Sequence, residues 1–135
     1  MPFVNTSGPI PAPDFAFPDT CNTPVGPVVV PVPYPNTQLA PVAIPSQFKI
    51  FTMCMPNHNQ LTVKPMSLGD QPGLLLGLAS GLVMGPIRHL FGSFKLFLGG
   101  PPATKMLNPT GHNGMSPNIP GMTMAPSQPK VLCLS

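Results

Sequence analysis

The sequence predicts an all-β domain built from short strands that are joined by tight turns. Three observations on the 135-residue chain support this class. Its 23 Pro and 13 Gly residues interrupt regular structure, and only 7% of the residues are charged, so helix-forming composition is absent. Hydrophobic residues make up 42% of the chain, which leaves apolar side chains to bury. Short apolar runs bounded by turn residues recur, as is typical of strands.

The first third of the chain is the most proline-rich. Residues 1–46 contain 12 of the 23 prolines, and we expect them to form an extended part packed on the rest of one domain that spans residues 1–135. Within them, residues 26–36 alternate proline with β-branched residues. Because proline removes backbone donors, this run is able to form only an edge strand or polyproline-like coil.

The remaining elements follow from local pattern. Residues 48–55 and 61–66 predict two strands, separated by a turn at residues 56–59. Residues 94–98 predict another strand, and the two glycines that follow it predict a turn, since glycine accepts positive φ. Residues 108–121 are rich in turn-forming residues and predict a long loop.

The charge and cysteine content exclude several classes of function. The net charge is +3, and the cations are scattered rather than clustered, so we expect no nucleic-acid partner. The chain has three cysteines, an odd number, which favours reduced thiols or a metal ligand over a disulfide framework. The first residues lack a basic start and a continuous apolar stretch, so we expect no signal peptide.

One segment resembles a membrane span in composition. Residues 71–87 carry no charge and place Gly every fourth position, and their length lies at the lower limit for crossing a bilayer. One interpretation is a membrane anchor. The other, which the glycines and Pro86 favour, is a glycine-rich run of short strands or one short helix against the core, without stable membrane insertion.

Three segments of the chain share a pattern that indicates an internal repeat. Residues 45–51, 92–97 and 126–132 each place a Ser shortly before a Lys that opens an apolar run, and Lys49, Lys95 and Lys130 are equivalent. Their unequal spacing excludes a solenoid. Either the match is a chance result of biased composition, or the three segments form the sides of a pseudo-threefold body.

A series of motifs along nearly the whole chain resembles the PAAR-like proteins, in particular the branch known for a PIPY motif. That motif reads Pro31-Val32-Pro33-Tyr34 here. The series consists of FAFPDTCNTP (15–24), PVPYPN (31–36), GD-xx-G (69–73), SG-xxx-GP (80–86), GS-xxx-F-x-GG-PP-A (92–103), TGHN (110–113) and PSQPKVL (126–132).

The resemblance implies a small conical or pyramidal β domain. Such a domain caps and sharpens the trimeric VgrG spike of a type VI secretion system, with one chain per trimer, and helps to load separate effector or adaptor proteins. It is not an enzyme. It is made in the bacterial cytoplasm and is exported on the spike without a signal peptide. We expect no C-terminal toxin extension, and we take Lys49, Lys95 and Lys130 as candidate spike contacts. The alternatives are a small membrane-associated protein anchored by residues 71–87 and a small metal-binding enzyme.

The resemblance also implies a structural zinc ion, which the parent family holds with three His and one Cys. The candidate ligands here are Cys54, His58, His112 and, less convincingly, His89. The alternative is that all four are ordinary loop or buried polar residues. Cys21 and Cys133 are interpreted as small buried residues, and the three Asp residues as supports for turns.

Overall fold

The fold consists of strands and turns, as the composition predicts. The structure is a computed structural model that describes residues 3–134. Residues 3–134 contain eight strands and one 3-10 turn, and the chain belongs to the predicted all-β class. The strands are β1 (Pro13–Val25), β2 (Val28–Leu39), β3 (Phe51–Thr52), β4 (Met55–Pro56), β5 (Val63–Lys64), β6 (Ile87–His89), β7 (Pro109–His112) and β8 (Ile119–Thr123), and the 3-10 turn is Ala40–Val42. Met1, Pro2 and Ser135 of the predicted domain lie outside the described residues.

Six strands form one antiparallel sheet in the order β2-β1-β8-β7-β6-β5. The proline-rich strand β2 lies at its edge, where missing backbone donors do least damage, so the edge-strand interpretation of residues 26–36 is confirmed. Strand β1 pairs with β2 along almost its whole length, with a register shift between Ala16 and Asp19. The proline-rich first third is therefore mostly a long β-hairpin.

Three predicted elements are wrong in detail. Residues 94–98 form no strand and contribute only an isolated bridge between Phe97 and Pro102. The strand predicted over residues 48–55 is a short hairpin of β3 and β4, because Met53 and Cys54 adopt positive φ of 53° and 64° and reverse the chain. The loop predicted over residues 108–121 contains β7 and β8, which pair with each other. The proline and glycine residues of this region indicate turns when only local sequence is considered. Both strands nevertheless pair with other strands of the sheet, and local composition does not contain that information.

The glycine-rich segment 71–87 forms turns and short bridges rather than a helix. Backbone bonds tie it to β1: Leu75 N–H donates to Asn22 O at 3.1 Å, and Asn22 N–H donates to Leu76 O at 3.0 Å. Across residues 3–134, the structure contains no helix that is long and apolar enough to span a membrane.

The interior of this fold is mainly polar. Its apolar cluster is small and consists of Val4, Leu98, Ala103 and Cys133, with Leu96 packed against it. Among the described residues, buried polar side chains outnumber buried apolar ones. Because a buried polar group is costly without a partner, hydrogen-bond geometry rather than hydrophobic volume specifies much of this interior.

Candidate functional site

The structure brings the three repeat segments together in equivalent positions. In each repeat, the carbonyl oxygen one residue after the lysine accepts a backbone hydrogen bond from a second segment of the chain. The donors and acceptors are Asn57 N to Ile50 O (3.1 Å), Ala103 N to Leu96 O (2.8 Å) and Val4 N to Val131 O (3.1 Å). The third repeat thus uses the N-terminal segment where the first two use the chain that directly follows them.

The three donor segments meet in a closed ring of backbone hydrogen bonds. His58 N–H donates to Asn5 O at 2.8 Å, Asn5 N–H donates to Thr104 O at 2.9 Å, and Thr104 N–H donates to His58 O at 3.3 Å. Each of the three residues follows the donor of its own repeat by one position. This cyclic pattern is a local pseudo-threefold axis in a single chain, and we call the assembly of three repeats and three donor segments the threefold base.

Two buried glutamines shape equivalent turns of the threefold base. Gln47 Oε1 accepts from Lys49 N and Ile50 N at 3.0 and 2.8 Å, and its Nε2 donates to Ile50 O and Asn57 O at 3.0 and 2.7 Å. Gln128 repeats all four contacts one repeat later, with backbone groups of Lys130, Val131 and Val4. In the middle repeat, Ser93 replaces glutamine: its Oγ accepts from Lys95 N, and its backbone N–H donates to Ala103 O. Shared side-chain bonding of this kind argues against a chance match.

The two glutamines should therefore respond alike to mutation. We expect Gln128→Leu and Gln47→Leu each to lower the free energy of unfolding by about 2 kcal/mol, because leucine fills the space but leaves buried backbone groups without partners. Urea denaturation measures both values. Gln71→Leu, at an exposed position, is the matched control and should change little. A loss at only one of the two glutamines would contradict their equivalence.

Exposed apolar side chains surround the threefold base. Phe48 and Phe94 occupy equivalent positions and are 66% and 81% exposed. Phe51, Phe97 and Leu132 form a second equivalent set, and all three are exposed. Lys49, Lys95 and Lys130 are exposed as well, one in each repeat. Exposed aromatic side chains at related positions are typical of a contact surface.

The predicted zinc ligands do not converge. Cys54 is exposed in the β3–β4 turn, whereas His58, His89 and His112 are buried. The rings of His58 and His89 are 6.3 Å apart, and His112 Nε2 lies 3.0 Å from Thr110 Oγ1. Among residues 3–134, these four side chains provide no group of three ligand atoms within 4.8 Å of one another. Metal binding by this set therefore stays a prediction.

Burial keeps all three histidines neutral. It lowers the pKa of His58 to about 3, with smaller contributions from the charges of His89 and Lys64. Burial likewise lowers the pKa of His89 and of His112 to about 4 in each case, although the carboxylate of Asp14 acts in the opposite direction on both. At neutral pH these side chains are therefore uncharged parts of the polar interior.

Asp19, Cys21 and Asp70 form a cluster that sequence reasoning missed. Their ligand atoms lie within 4.8 Å of one another, and all three residues are fully buried. The interpretation of Asp14 and Asp19 as supports for turns is wrong: both lie inside β1, and Asp14 forms a buried ion pair with Lys64. Asp70 does precede a turn, since its carbonyl oxygen accepts from Gly73 N–H. One signal was available, because Asp19 and Cys21 are two residues apart and so share a face of a strand. The interpretation of Cys21 and Cys133 as buried residues is confirmed.

The cluster is electrostatically unfavourable without a proton or a cation. Burial raises the pKa of the Cys21 thiol to about 12, and the nearby Asp19 and Asp70 carboxylates add to the shift. Burial also raises the pKa of Asp70, and the charge of Asp19 adds to it, against hydrogen bonds such as the one from Met84 N–H. Each negative charge in this cluster therefore opposes the others.

These observations define a class: a small all-β protein with a mainly polar interior and a pseudo-threefold base built within one chain. The family model of the toxin PAAR-like domain matches residues 13–121, well over half of the chain, so the protein belongs to this family. The resemblance to PAAR-like proteins is thereby confirmed, whereas the finer assignment to the PIPY branch stays a prediction. No curated protein and no solved structure matches the chain.

Proposed function

We propose that this protein is the tip of a trimeric, VgrG-type spike in a type VI secretion system, where one chain caps each trimer. Membership in the PAAR-like family supports a spike-tip or toxin-related role in general terms. The ring joining Asn5, His58 and Thr104 is the observation that carries the finer proposal. A single chain contacts three identical subunits in the same way only if its own surface repeats three times about one axis.

The threefold base supplies suitable contact chemistry. Phe48 and Phe94 offer exposed aromatic anchors, and each is followed directly in the chain by an exposed lysine, Lys49 or Lys95. Aromatic side chains at the centre of an interface commonly carry most of the binding energy, while charges at its rim mainly influence association rates. This role requires shape and rigidity, without catalytic turnover, and the protein leaves the cytoplasm of its cell on the spike together with separate effectors.

A binding assay with a VgrG-type spike protein from the same genome tests the proposal. We expect native mass spectrometry of the co-expressed proteins to show one chain per spike trimer. Phe94→Glu should weaken the complex at least about 100-fold, because it buries a charge in place of an aromatic anchor. Phe94 is 81% exposed, so the free protein should fold normally.

Leu74→Glu is the matched control for that experiment. Leu74 is an exposed apolar residue, 67% exposed, but it lies in the 71–87 segment rather than in a repeat. We expect this variant to bind the spike like the wild-type chain. Retention of binding by Phe94→Glu together with loss by Leu74→Glu would contradict docking through the threefold base, and the absence of any complex would overturn the tip assignment.

A further inference from the structure

The buried group formed by Asp19, Cys21 and Asp70 has the geometry of an incomplete metal site. Cys21 Sγ lies 3.9 Å from Asp19 Oδ1 and 3.9 Å from Asp70 Oδ2. In a tetrahedral zinc site, bonds of about 2.3 Å to sulfur and about 2.0 Å to oxygen place such ligand atoms about 3.5 Å apart. A cation among these three atoms therefore requires a contraction of only about 0.4 Å on each of the two sulfur–oxygen edges. The Asp19 and Asp70 ligand oxygens lie within 4.8 Å of each other.

The hydrogen-bond pattern shows that positive charge is missing at this place. Among the described residues, the donors around the two carboxylates are uncharged: the side-chain amides of Asn36, Asn113 and Asn118, the Met84 N–H and the Cys21 thiol. Two further buried acceptors, Asp70 Oδ1 and Asn36 Oδ1, have no hydrogen-bond partner. Buried hydrogen-bond acceptors are rarely left without a donor. Acceptors without donors beside two buried carboxylates therefore indicate that a cation binds here.

The chain is also built to keep these groups close. Cys21 is in β1, and Gly73 packs directly against it, because a Cβ atom on Gly73 would lie only 2.3 Å from Cys21 Cβ. Gly73 N–H in turn donates to Asp70 O at 2.9 Å. Asn113, which follows β7, donates to Asp70 Oδ2 at 2.8 Å. Three separate parts of the chain thus hold the group from different sides.

We propose that Asp19, Cys21 and Asp70 bind one borderline-soft divalent cation, with zinc as the expected ion. A thiolate beside two carboxylates suits zinc, because magnesium and calcium prefer oxygen ligands alone. Binding releases the thiol proton to solvent. The ion has a structural role: it joins β1 to the segment around Asp70 and neutralises a buried excess of acceptors. This site shares no residue with the set Cys54, His58, His89 and His112, and it does not depend on the proposed docking function.

Cobalt and zinc titration of the full-length, chelator-treated chain tests this proposal. We expect one equivalent of Co²⁺ to bind and to produce the near-ultraviolet charge-transfer absorption of a cobalt–thiolate bond, and Zn²⁺ to displace it. Cys21→Ser should abolish that absorption, and Asp70→Asn should weaken binding at least about 100-fold, since it exchanges a charged ligand for a neutral one. Zinc should also raise the thermal midpoint of the wild-type chain but not that of Cys21→Ser.

Matched variants decide whether the ion binds at this place. Cys54→Ser and His112→Gln should retain the cobalt–thiolate absorption, because neither residue belongs to the group. Loss of the absorption in Cys54→Ser, with its retention in Cys21→Ser, would overturn the proposal in favour of the other set. The wild-type chain is decisive even if the Cys21 variant fails to fold: binding of neither ion, or cobalt binding without a thiolate band, would overturn the proposal.

Discussion

Replacing Lys64 by methionine is expected to lower the free energy of unfolding by about 3–5 kcal/mol. Lys64 and Asp14 are 2% and 0% exposed, and Lys64 Nζ lies 2.6 Å from Asp14 Oδ2. Burial raises the pKa of Asp14, but the charge of Lys64 and its hydrogen bond outweigh it and hold that pKa below its ordinary value. Without Lys64, a carboxylate remains in the interior with no compensating ammonium group, so it must stay charged at high cost or take up a proton.

Two comparisons make the test of this ion pair specific. Lys49→Met removes an exposed lysine and should change stability by less than about 0.5 kcal/mol. The double variant Asp14→Asn with Lys64→Met should be less unstable than the sum of the single variants, because it removes both charges. Urea denaturation at pH 7 measures the wild-type chain, the single variants Lys64→Met, Asp14→Asn and Lys49→Met, and the double variant. Equal effects of Lys64→Met and Lys49→Met would show that the pair contributes nothing beyond a surface charge.

Acidification is expected to destabilise the protein steeply between about pH 6.5 and pH 4.5. The pKa values of His58, His89 and His112 are lowered from 6.5 to about 3, 4 and 4. In this window the unfolded chain binds protons at these residues and the folded chain does not, so stability is complete above the unfolded pKa and falls as pH decreases. The three residues together should cost about 5 kcal/mol between pH 7 and pH 5.

Urea denaturation of the metal-free chain across this pH range provides the measurement. The slope of unfolding free energy against pH should correspond to uptake of nearly three protons at pH 5. His89→Gln cannot titrate, so its slope should fall by about one proton whatever its stability at pH 7. A wild-type slope of less than one proton would mean that the histidines are charged in the folded chain.

The comparison between predicted and observed strands shows which strands the local sequence pattern is able to predict. Residues 26–36 are an edge strand because proline forbids any other place in a sheet, and this follows from the residues themselves. Strands β7 and β8 could not be recognised, because their proline and glycine residues match turns locally. They pair with each other, but their outer partners in the sheet, β6 and β1, lie elsewhere in the chain. Cys54 was predicted to lie in a continuous strand over residues 48–55. No residue of this apolar run indicates that the chain reverses at Met53 and Cys54.

Of the candidate sites, one could be predicted from the sequence and one could not. The three repeats were visible in sequence, since each places Ser shortly before Lys49, Lys95 or Lys130. The cluster of Asp19, Cys21 and Asp70 was not, because Asp70 lies 49 positions from Cys21 and only folding brings it to β1. The four predicted zinc ligands rested on residue type, on their number and on the resemblance to the PAAR-like proteins. Residue type does not determine which side chains meet in the interior.

The sequence by itself determined the all-β class, the repeated segments and the family to which the chain belongs. These are properties of composition and of local order, and the chain carries them whether folded or not. Only the tertiary structure decided that the third repeat pairs with the N-terminal segment through Val4 and Val131, which closes the ring of Asn5, His58 and Thr104. The tertiary structure alone also decided that Asp19 and Asp70 lie beside the buried thiol of Cys21. Contacts between distant residues depend on the whole set of strand pairings, and no short stretch of sequence contains that information.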